Sequence, residues 1–461
     1  MHSLPVAATI EVTAEAPAEL AGLADAGRLE AHGHTDPARA GALASKVLAM
    51  LPTLASSFFL FGILVVQAAL LGRTLKPEGR GEYATVIAYT RFLTYIGLLG
   101  VNYAIIRRAA VARGRLAGLS RTALRAGLLT GLATMLAVVL LSWLALPEGK
   151  EHLVFLCIVC AATLPLEQVR LNLNAVDQGS GNYARFNAGR LVAAATFPLL
   201  LLVAWASGSL TVATATYLLI PATVLALVFR LVWSDDYRPW RRGKPPLATI
   251  LREGLPFAPS QAGGDLFNKL DTLLVVYLAS SVHQGLYVAA VPAVQVLAVA
   301  PEALTVFAFN AGARNSGAHA RRHVAATAGG LLLFQLISAL VYSFMLPTLI
   351  VWVYKSEFAG AIPFALALLP GMVCQGCTMV ADGYLRGRGK AMPGIWARAL
   401  GAAVMCLAAL ALCHARWALA VPVAASLGNT VSAVCIAVAV LQSAGHNPPR
   451  NASHSAEAYS P

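Results

Sequence analysis

The sequence predicts an all-α, polytopic membrane protein with about twelve transmembrane helices arranged as two six-helix repeats. Three observations predict this fold class. Apolar runs of bilayer length recur along the chain, only 12% of the residues are charged whereas 58% are hydrophobic, and the basic residues concentrate in alternate loops. A backbone inside the bilayer must satisfy its own hydrogen bonds, which favours helices, and the short alternating segments of a membrane barrel are not found in the sequence.

The predicted apolar segments follow one another between two polar tails. Residues 1–46 lack the basic region followed by an apolar region that marks a signal peptide. We expect a disordered cytoplasmic tail there and a second one over 442–461. The segments lie near residues 47–71, 83–106, 122–146, 152–174, 189–207, 210–232, 254–279, 285–310, 324–351, 358–382, 393–414 and 417–441. We therefore expect an N-terminal six-helix bundle over 47–232, a basic cytoplasmic linker over 233–253 and a C-terminal bundle over 254–441.

The distribution of the basic residues predicts an orientation. Of the 34 Lys and Arg residues, 26 fall on one side of the predicted membrane and six on the other, while Arg91 and Lys269 fall inside segments. Because basic loops are retained in the cytoplasm, we expect a multi-pass protein of the cell inner membrane with both termini cytoplasmic. The net charge of +13 is explained in this way, and we expect no nucleic-acid partner.

The two halves of the chain resemble each other. A shift of 204 residues places Gly81 on Gly285 and Tyr83 on Tyr287, at matching places in the order of the helices. With six helices in each repeat, both halves have the same orientation, and a pseudo-two-fold axis runs along the membrane normal. In such an architecture the substrate path lies between the halves.

Ionisable side chains at membrane depth are costly and indicate functional sites. The seventh segment has a polar stripe that cannot face lipid. The candidate substrate-binding residues are Arg91, Asn102, Gln261, Asn268 and Lys269. The candidate ion-coupling residues are Asp265, Asp271, Glu167 and Glu302. Alternatives remain open: Asp265 and Lys269, four residues apart, could form a structural salt bridge. Arg91 could extend toward the interface, and Glu302 could mark a kink at Pro301.

Two motifs carry a resemblance to a known family. The turn after the first segment reads LLGRTLKPEGRGEYATV, and the second half contains DTLLVVYLASSVHQGLYVAAV. The matching positions are Gly72, Lys76, Pro77, Glu78, Gly79, Gly81, Tyr83, Asp271, Gly285 and Tyr287. Over roughly residues 45–440 the chain resembles the polysaccharide-repeat flippases of the multidrug/oligosaccharidyl-lipid/polysaccharide (MOP) exporter superfamily. Lys76 departs from the glycine usual in that turn.

The resemblance implies a MATE-like, V-shaped pair of six-helix bundles around a central cavity. It also implies alternating access that moves undecaprenyl-pyrophosphate-linked oligosaccharide repeat units across the inner membrane for O-antigen, capsule or exopolysaccharide export. The implied partners are this lipid-linked oligosaccharide, membrane lipid, and polysaccharide polymerase or ligase proteins. Arg91 and Lys269 would attract the pyrophosphate or an acidic sugar. No cofactor is expected, and Asp265 or Asp271 would couple transport to a proton or sodium gradient.

Two other functions are weighed against the flippase. A multidrug or cation antiporter of the same superfamily would need an acid-centred cavity, which Arg91 and Lys269 disfavour. A membrane glycan polymerase or ligase would tend to have a large extracytoplasmic loop. We find no phosphate-binding glycine loop, His-Glu-x-x-His motif or nucleophile elbow, so we expect no enzyme and no catalytic residue. The pairs Cys157/Cys160 and Cys374/Cys377 are expected to be small apolar residues rather than metal ligands.

Overall fold

The computed structural model describes residues 37–111, 116–233, 246–314, 318–388, 390, 392–414 and 418–443. Every regular element in these ranges is an α-helix or a short 3-10 helix, which confirms the predicted all-α class. Residues 1–36 and 444–461, and with them most of the two predicted tails, lie outside the described residues.

The helices of the N-terminal half precede the gap at 234–245. They are α1 (Pro37–Gly97), α2 (Val101–Val111), α3 (Leu116–Leu144), α4 (Val154–Ala161), α5 (Leu164–Gly179), α6 (Tyr183–Ala206), α7 (Val212–Tyr217) and α8 (Leu219–Val232). A 3-10 helix, Glu151–Leu153, leads into α4. The fourth predicted segment is therefore two helices, α4 and α5, with Pro165 in the first turn of α5.

The C-terminal half follows the same gap. Its helices are α9 (Leu247–Gly254), α10 (Ala258–Leu278), α11 (Ser281–Gln295), α12 (Val299–Arg314), α13 (Ala318–Tyr354), α14 (Ala361–Gly387), α15 (Met392–His414) and α16 (Ala420–Ser443). Short 3-10 helices connect some of them, at Leu255–Phe257, Val296–Ala298 and Ser356–Phe358. The last part of the predicted linker 233–253 thus contributes to a helix, α9.

Helix α1 is broken at Lys76, which has φ 56° and ψ 177°. A residue before proline is disfavoured in the helical region because of the ring of Pro77, and this explains the position of the break. The break lies within the turn predicted between the first two segments and divides α1 into an N-terminal and a C-terminal arm. α1 begins at Pro37, ten residues before the predicted start of the first segment.

The predicted membrane spans coincide with helices in this structure. Nine helices of the described ranges are long and apolar enough to cross a membrane, or ten if the bent pair Gly62–Gly97 and Val101–Val111 counts as one span. A span count of twelve remains a prediction.

Large apolar side chains project outward from these helices, as lipid contact requires. On α13, for example, Leu340 is 62% exposed and Phe344 is 76% exposed.

The two halves meet where the C-terminal arm of α1 crosses α11. A Cβ atom added to Gly81 would lie 1.8 Å from the carbonyl oxygen of Ser281, and one added to Gly285 would lie 1.8 Å from that of Pro77. Ser281 and Pro77 are themselves separated by 204 residues, so the contact has the symmetry that the internal repeat predicts. Only glycine permits this close approach of the two backbones.

Two ends of the molecule can be distinguished by their residues. We call the end that contains the Lys76 break, Lys150 and Lys355 the far end, and the end that contains Arg108 and Arg386 the basic end. The Gly81–Gly285 crossing lies toward the far end, since both glycines occur within the first turns after the preceding break.

Candidate functional site

A cavity lies inside the N-terminal half, between α1, α5, α6 and α8. Its wall combines apolar side chains with polar ones, namely Gln67, Thr90, Arg91, Thr94, Tyr95, Thr163, Glu167, Arg170, Arg190 and Thr223. α1 supplies half of these polar groups, and α5, which buries polar residues along most of its length, supplies Glu167 and Arg170. A polar cavity at membrane depth is an arrangement suited to a hydrophilic cargo.

The cavity is positively charged. Among the described residues that line it, Arg91, Arg170 and Arg190 are basic and Glu167 is acidic, which gives these residues a formal net charge of +2. Arg170 donates two hydrogen bonds to Glu167, from Nε to Oε2 at 3.0 Å and from Nη2 to Oε1 at 2.6 Å. The guanidinium carbon of Arg190 lies 5.2 Å from the ring centroid of Phe186. Glu167 is thus held by a neighbouring arginine on its own helix, and the excess positive charge faces the cavity.

Lys269 brings a further cation to the cavity wall from the other half. Its Nζ donates a hydrogen bond to the carbonyl oxygen of Arg91 at 3.0 Å and lies 4.7 Å from the ring centroid of Tyr95. Tyr95 and Arg91 both line the cavity. The structure therefore brings two of the sequence-predicted binding residues, Arg91 and Lys269, together across the two halves.

Asp271 occupies a different environment from Lys269. Its Oδ2 accepts a hydrogen bond from the phenol of Tyr287 at 2.5 Å, and its Oδ1 accepts one from the backbone N–H of Thr272 at 2.6 Å. Tyr287 is fully buried among the helices of the C-terminal half. Asp271 therefore links α10 to α11 on the side of the C-terminal half.

The remaining predicted site residues are dispersed or lie outside the described part. Glu302 is half-buried on α12 and follows the buried Pro301. Asn102 is half-buried on α2, and its Oδ1 has no hydrogen-bond partner among the described residues. The side chains of three further residues lie outside the described residues, although α10 runs through them: Gln261, Asp265 and Asn268.

Two cavity arginines, Arg170 and Arg190, were missed by the sequence prediction. Each lies near the end of a predicted segment, 152–174 or 189–207, and both were counted with the basic residues of the cytoplasmic side. α5 extends to Gly179 and α6 begins at Tyr183, so both arginines lie well inside helices and line the cavity. The three-residue spacing from Glu167 to Arg170 was the signal that could have identified the pair.

A comparison with known proteins identifies the family. The sequence profile of the family described as polysaccharide biosynthesis protein matches residues 50–311, which is more than half of the chain. The chain belongs to this family. No curated protein sequence matches the chain.

Solved structures show the same fold. An inward-facing multidrug resistance MATE family transporter of the MOP superfamily is 15% identical, with 84% of this chain and 96% of that chain covered and a TM-score of 0.66. The lipid II flippase MurJ in an inward closed conformation is 12% identical, with 86% and 87% covered and a TM-score of 0.67. For an outward-facing MATE transporter, at 15% identity and coverages of 87% and 96%, the TM-score is 0.56. At 12–15% identity, these likenesses show the fold of the chain.

At the basic end of each half, an aspartate lies between two arginines. Asp177 of α5 lies 2.7 Å from Arg230 of α8 and 3.7 Å from Arg185 of α6. In the C-terminal half, Asp382 of α14 is similarly paired, at 2.7 Å and 2.9 Å, with Arg386 and Arg398. Arg386 lies on the same helix as Asp382, whereas the other three arginines join neighbouring helices. None of the four arginines lines the cavity, so we assign these pairs to structure.

Proposed function

We propose that this protein is a flippase that moves undecaprenyl-pyrophosphate-linked oligosaccharide repeat units across the inner membrane by alternating access, for surface polysaccharide export. The observation that carries the proposal is the cationic cavity of the N-terminal half, with Lys269 of the other half against its wall. The family and the fold support transport; the cavity supports an anionic cargo.

The charges match the chemistry of a pyrophosphate group. Guanidinium groups form paired hydrogen bonds with phosphate oxygens, and in a cavity of reduced dielectric constant the attraction is stronger than in water. Neutral polar residues of the wall, such as Gln67, Thr90 and Thr94, offer hydrogen bonds to sugar hydroxyls. The polyprenyl chain can remain in the bilayer while the polar part enters the cavity.

The proposed orientation places the basic end and both termini in the cytoplasm, where basic loops are retained. The lipid-linked oligosaccharide would enter from the basic end and leave at the far end. Polysaccharide polymerase or ligase proteins would then receive it.

Coupling to a proton or sodium gradient is part of the proposal. The candidate groups are Asp265, Asp271, Glu167 and Glu302. The contacts of two of them suggest different roles. Glu167 is paired with Arg170, whereas Asp271 is bonded to the neutral phenol of Tyr287 and has no cation within 4.0 Å among the described residues. Asp271 is therefore the better-placed candidate for reversible protonation.

Ligand binding to the full chain in nanodiscs tests the cargo class. The probes are undecaprenyl pyrophosphate, undecaprenol and the cationic dye ethidium. Microscale thermophoresis measures their affinities for the wild type, for Arg91→Gln and for the control Arg125→Gln, which removes an exposed arginine instead. We expect undecaprenyl pyrophosphate to bind with much higher affinity than undecaprenol. Arg91→Gln should weaken the affinity for the pyrophosphate roughly tenfold, whereas Arg125→Gln should not change it. Binding of ethidium without binding of the pyrophosphate would instead support the antiporter.

A further inference from the structure

A cluster of hydrogen bonds at the far end joins the two halves around Lys150. The Nζ of Lys150, in the turn before α4, donates to the carbonyl oxygen of Val276 at 2.7 Å, to that of Ala279 at 3.2 Å, and to Oε1 of Gln284 at 2.8 Å. Lys150 is 6% exposed, and its three acceptors all belong to the C-terminal half. Its three N–H donors are thus all used across the boundary between the halves.

The carbonyl groups that Lys150 contacts lie at a helix C-terminus. α10 ends at Leu278, so the Val276 carbonyl belongs to the last turn, whose oxygens lack partners within the helix, and Ala279 is the residue that follows. A positive charge at this position also interacts favourably with the helix dipole. Lys150 therefore caps a helix of the opposite half.

Gln284 extends the cluster to a second element of the N-terminal half. Its Oε1 also accepts a hydrogen bond from the hydroxyl of Thr85 at 2.9 Å, and Thr85 lies on the C-terminal arm of α1, one turn from Gly81. One helical turn further along, the phenols of Tyr89 and Tyr277 are 2.7 Å apart. The bonds form a layer beneath the crossing of α1 and α11.

A second cation repeats the arrangement at another helix. Arg73, near the end of the N-terminal arm of α1, donates from Nε to the carbonyl oxygen of Val353 at 2.7 Å and from Nη2 to that of Trp352 at 2.6 Å. Both carbonyls lie in the last turn of α13, which ends at Tyr354. In each case a cation of the N-terminal half caps a helix C-terminus of the C-terminal half.

The repeat counterpart of Lys150 does not take part. Lys150 and Lys355 each immediately precede a 3-10 helix at the far end of their halves, Glu151–Leu153 and Ser356–Phe358. Lys150 is buried, whereas Lys355 is exposed. The two halves have therefore diverged at this position, with the buried lysine in the N-terminal half.

We propose that Lys150, assisted by Arg73, is a latch that holds the far end closed and must be released before the halves separate there. The latch acts by capping helix C-termini of one half with cations of the other. Opening would expose the uncapped carbonyls of α10 and α13 and the amide of Gln284 to water, which can replace the lost bonds. Because the latch involves only contacts at the far end, it would act in the same way whether the cargo is a glycan lipid or another solute.

Hydrogen–deuterium exchange of the full chain in nanodiscs tests the latch. The variants are Lys150→Met, the matched control Lys355→Met, the conservative variant Lys150→Arg, and Arg73→Gln. In Lys150→Met we expect roughly tenfold faster exchange over residues 279–287, an intermediate effect for Arg73→Gln, and exchange close to that of the wild type for Lys355→Met and Lys150→Arg.

Three outcomes would overturn the proposal. Exchange at 279–287 could stay unchanged in Lys150→Met, it could rise equally in Lys355→Met, or it could rise throughout the buried core of α14 as well. The last result would show a general loss of stability, whereas a latch acts on the far end. Because no ligand is added, these results are independent of the binding experiment on the cargo.

Discussion

Lys269 of the C-terminal half donates a hydrogen bond from its ammonium group to the backbone carbonyl of Arg91 in the N-terminal half, at 3.0 Å. The contact positions a cation of one half against the wall of a cavity whose arginines belong to the other half. Any change in the separation of the halves at this level would alter the contact. We therefore expect cargo binding and the relative position of the halves to be linked through Lys269.

Lys269→Met should weaken the binding of undecaprenyl pyrophosphate roughly tenfold, because it removes a positive charge beside the cavity while preserving most of the side chain's volume. Isothermal titration calorimetry of the protein in nanodiscs measures the effect. Lys390→Met, at an exposed position outside the cavity, provides the control. Equal affinities of the two variants would show that Lys269 has a structural role alone.

Gly81→Ala should destabilise the contact of the two halves severely, since the added methyl group would lie 1.8 Å from the Ser281 carbonyl oxygen and the neighbouring backbone cannot yield. We expect a loss of about 2 kcal/mol or more, seen as a lower midpoint of thermal unfolding. Gly330→Ala is the matched control, because nothing lies within 4 Å of its added Cβ and alanine favours the helix. An unchanged midpoint for Gly81→Ala would refute the close crossing.

Asp177→Asn should cost about 3–5 kcal/mol of stability, because it removes the counter-charge of Arg230, whose side chain is only 1% exposed. Denaturation by guanidinium chloride, followed by circular dichroism, measures the loss. Replacing both members, with Asp177→Asn and Arg230→Met, should restore part of it. A single variant as stable as the wild type would contradict the assignment of this pair to the structure of the N-terminal half.

The docking of α9 on α2 should depend weakly on pH. The Arg108 guanidinium donates to both carboxylate oxygens of Glu253 and holds the pKa of that carboxyl below its usual value of about 4.5. The stabilisation is therefore fully present when the pH is above the pKa of the unpaired carboxyl, and it is lost as the pH falls through the lowered pKa of Glu253. α9 should therefore stay docked from pH 8 to about pH 5.

Glu253→Gln imitates the protonated state at neutral pH. Because solvent reaches about a third or more of each side chain and screens the pair, the variant should lose no more than about 1 kcal/mol, which corresponds to roughly two- to fivefold faster amide exchange within α9 at pH 7. Arg252→Gln, the adjacent exposed charge, is the comparison. Equal exchange rates in both variants would show that the ion pair does not hold α9.

The fold could be predicted from the sequence because the backbone of a bilayer-length apolar run must satisfy its own hydrogen bonds, which an α-helix does. The shift of 204 residues likewise predicted which glycines are equivalent, and Gly81 and Gly285 do meet at the crossing. The cavity was predicted less completely. Arg91 and Lys269 were found because they interrupt apolar segments. Arg170 and Arg190 lie close to the ends of their predicted segments, where a shift of the boundary by a few residues decides between loop and membrane interior.

The contacts at the far end could not be predicted at all. Lys150 is one of the few basic residues on its side and would be expected to face water, as Lys355 does. Its burial depends on backbone carbonyls at the end of α10. Every residue has a backbone carbonyl, so the sequence does not indicate which carbonyls will accept a hydrogen bond from a side chain. The partners of such a side chain become visible once the helices are packed.

Transport by the purified protein is the decisive test of the proposed flippase function. Proteoliposomes would contain a fluorescent undecaprenyl-pyrophosphate-linked oligosaccharide, and a membrane-impermeant quencher added outside would report how fast the polar group crosses the bilayer. We expect the wild type and Arg125→Gln to move the lipid well above the rate of protein-free liposomes, and Arg91→Gln combined with Lys269→Met to lower the rate at least about tenfold. A wild-type rate equal to that of protein-free liposomes, with and without a proton or sodium gradient, would contradict the flippase proposal.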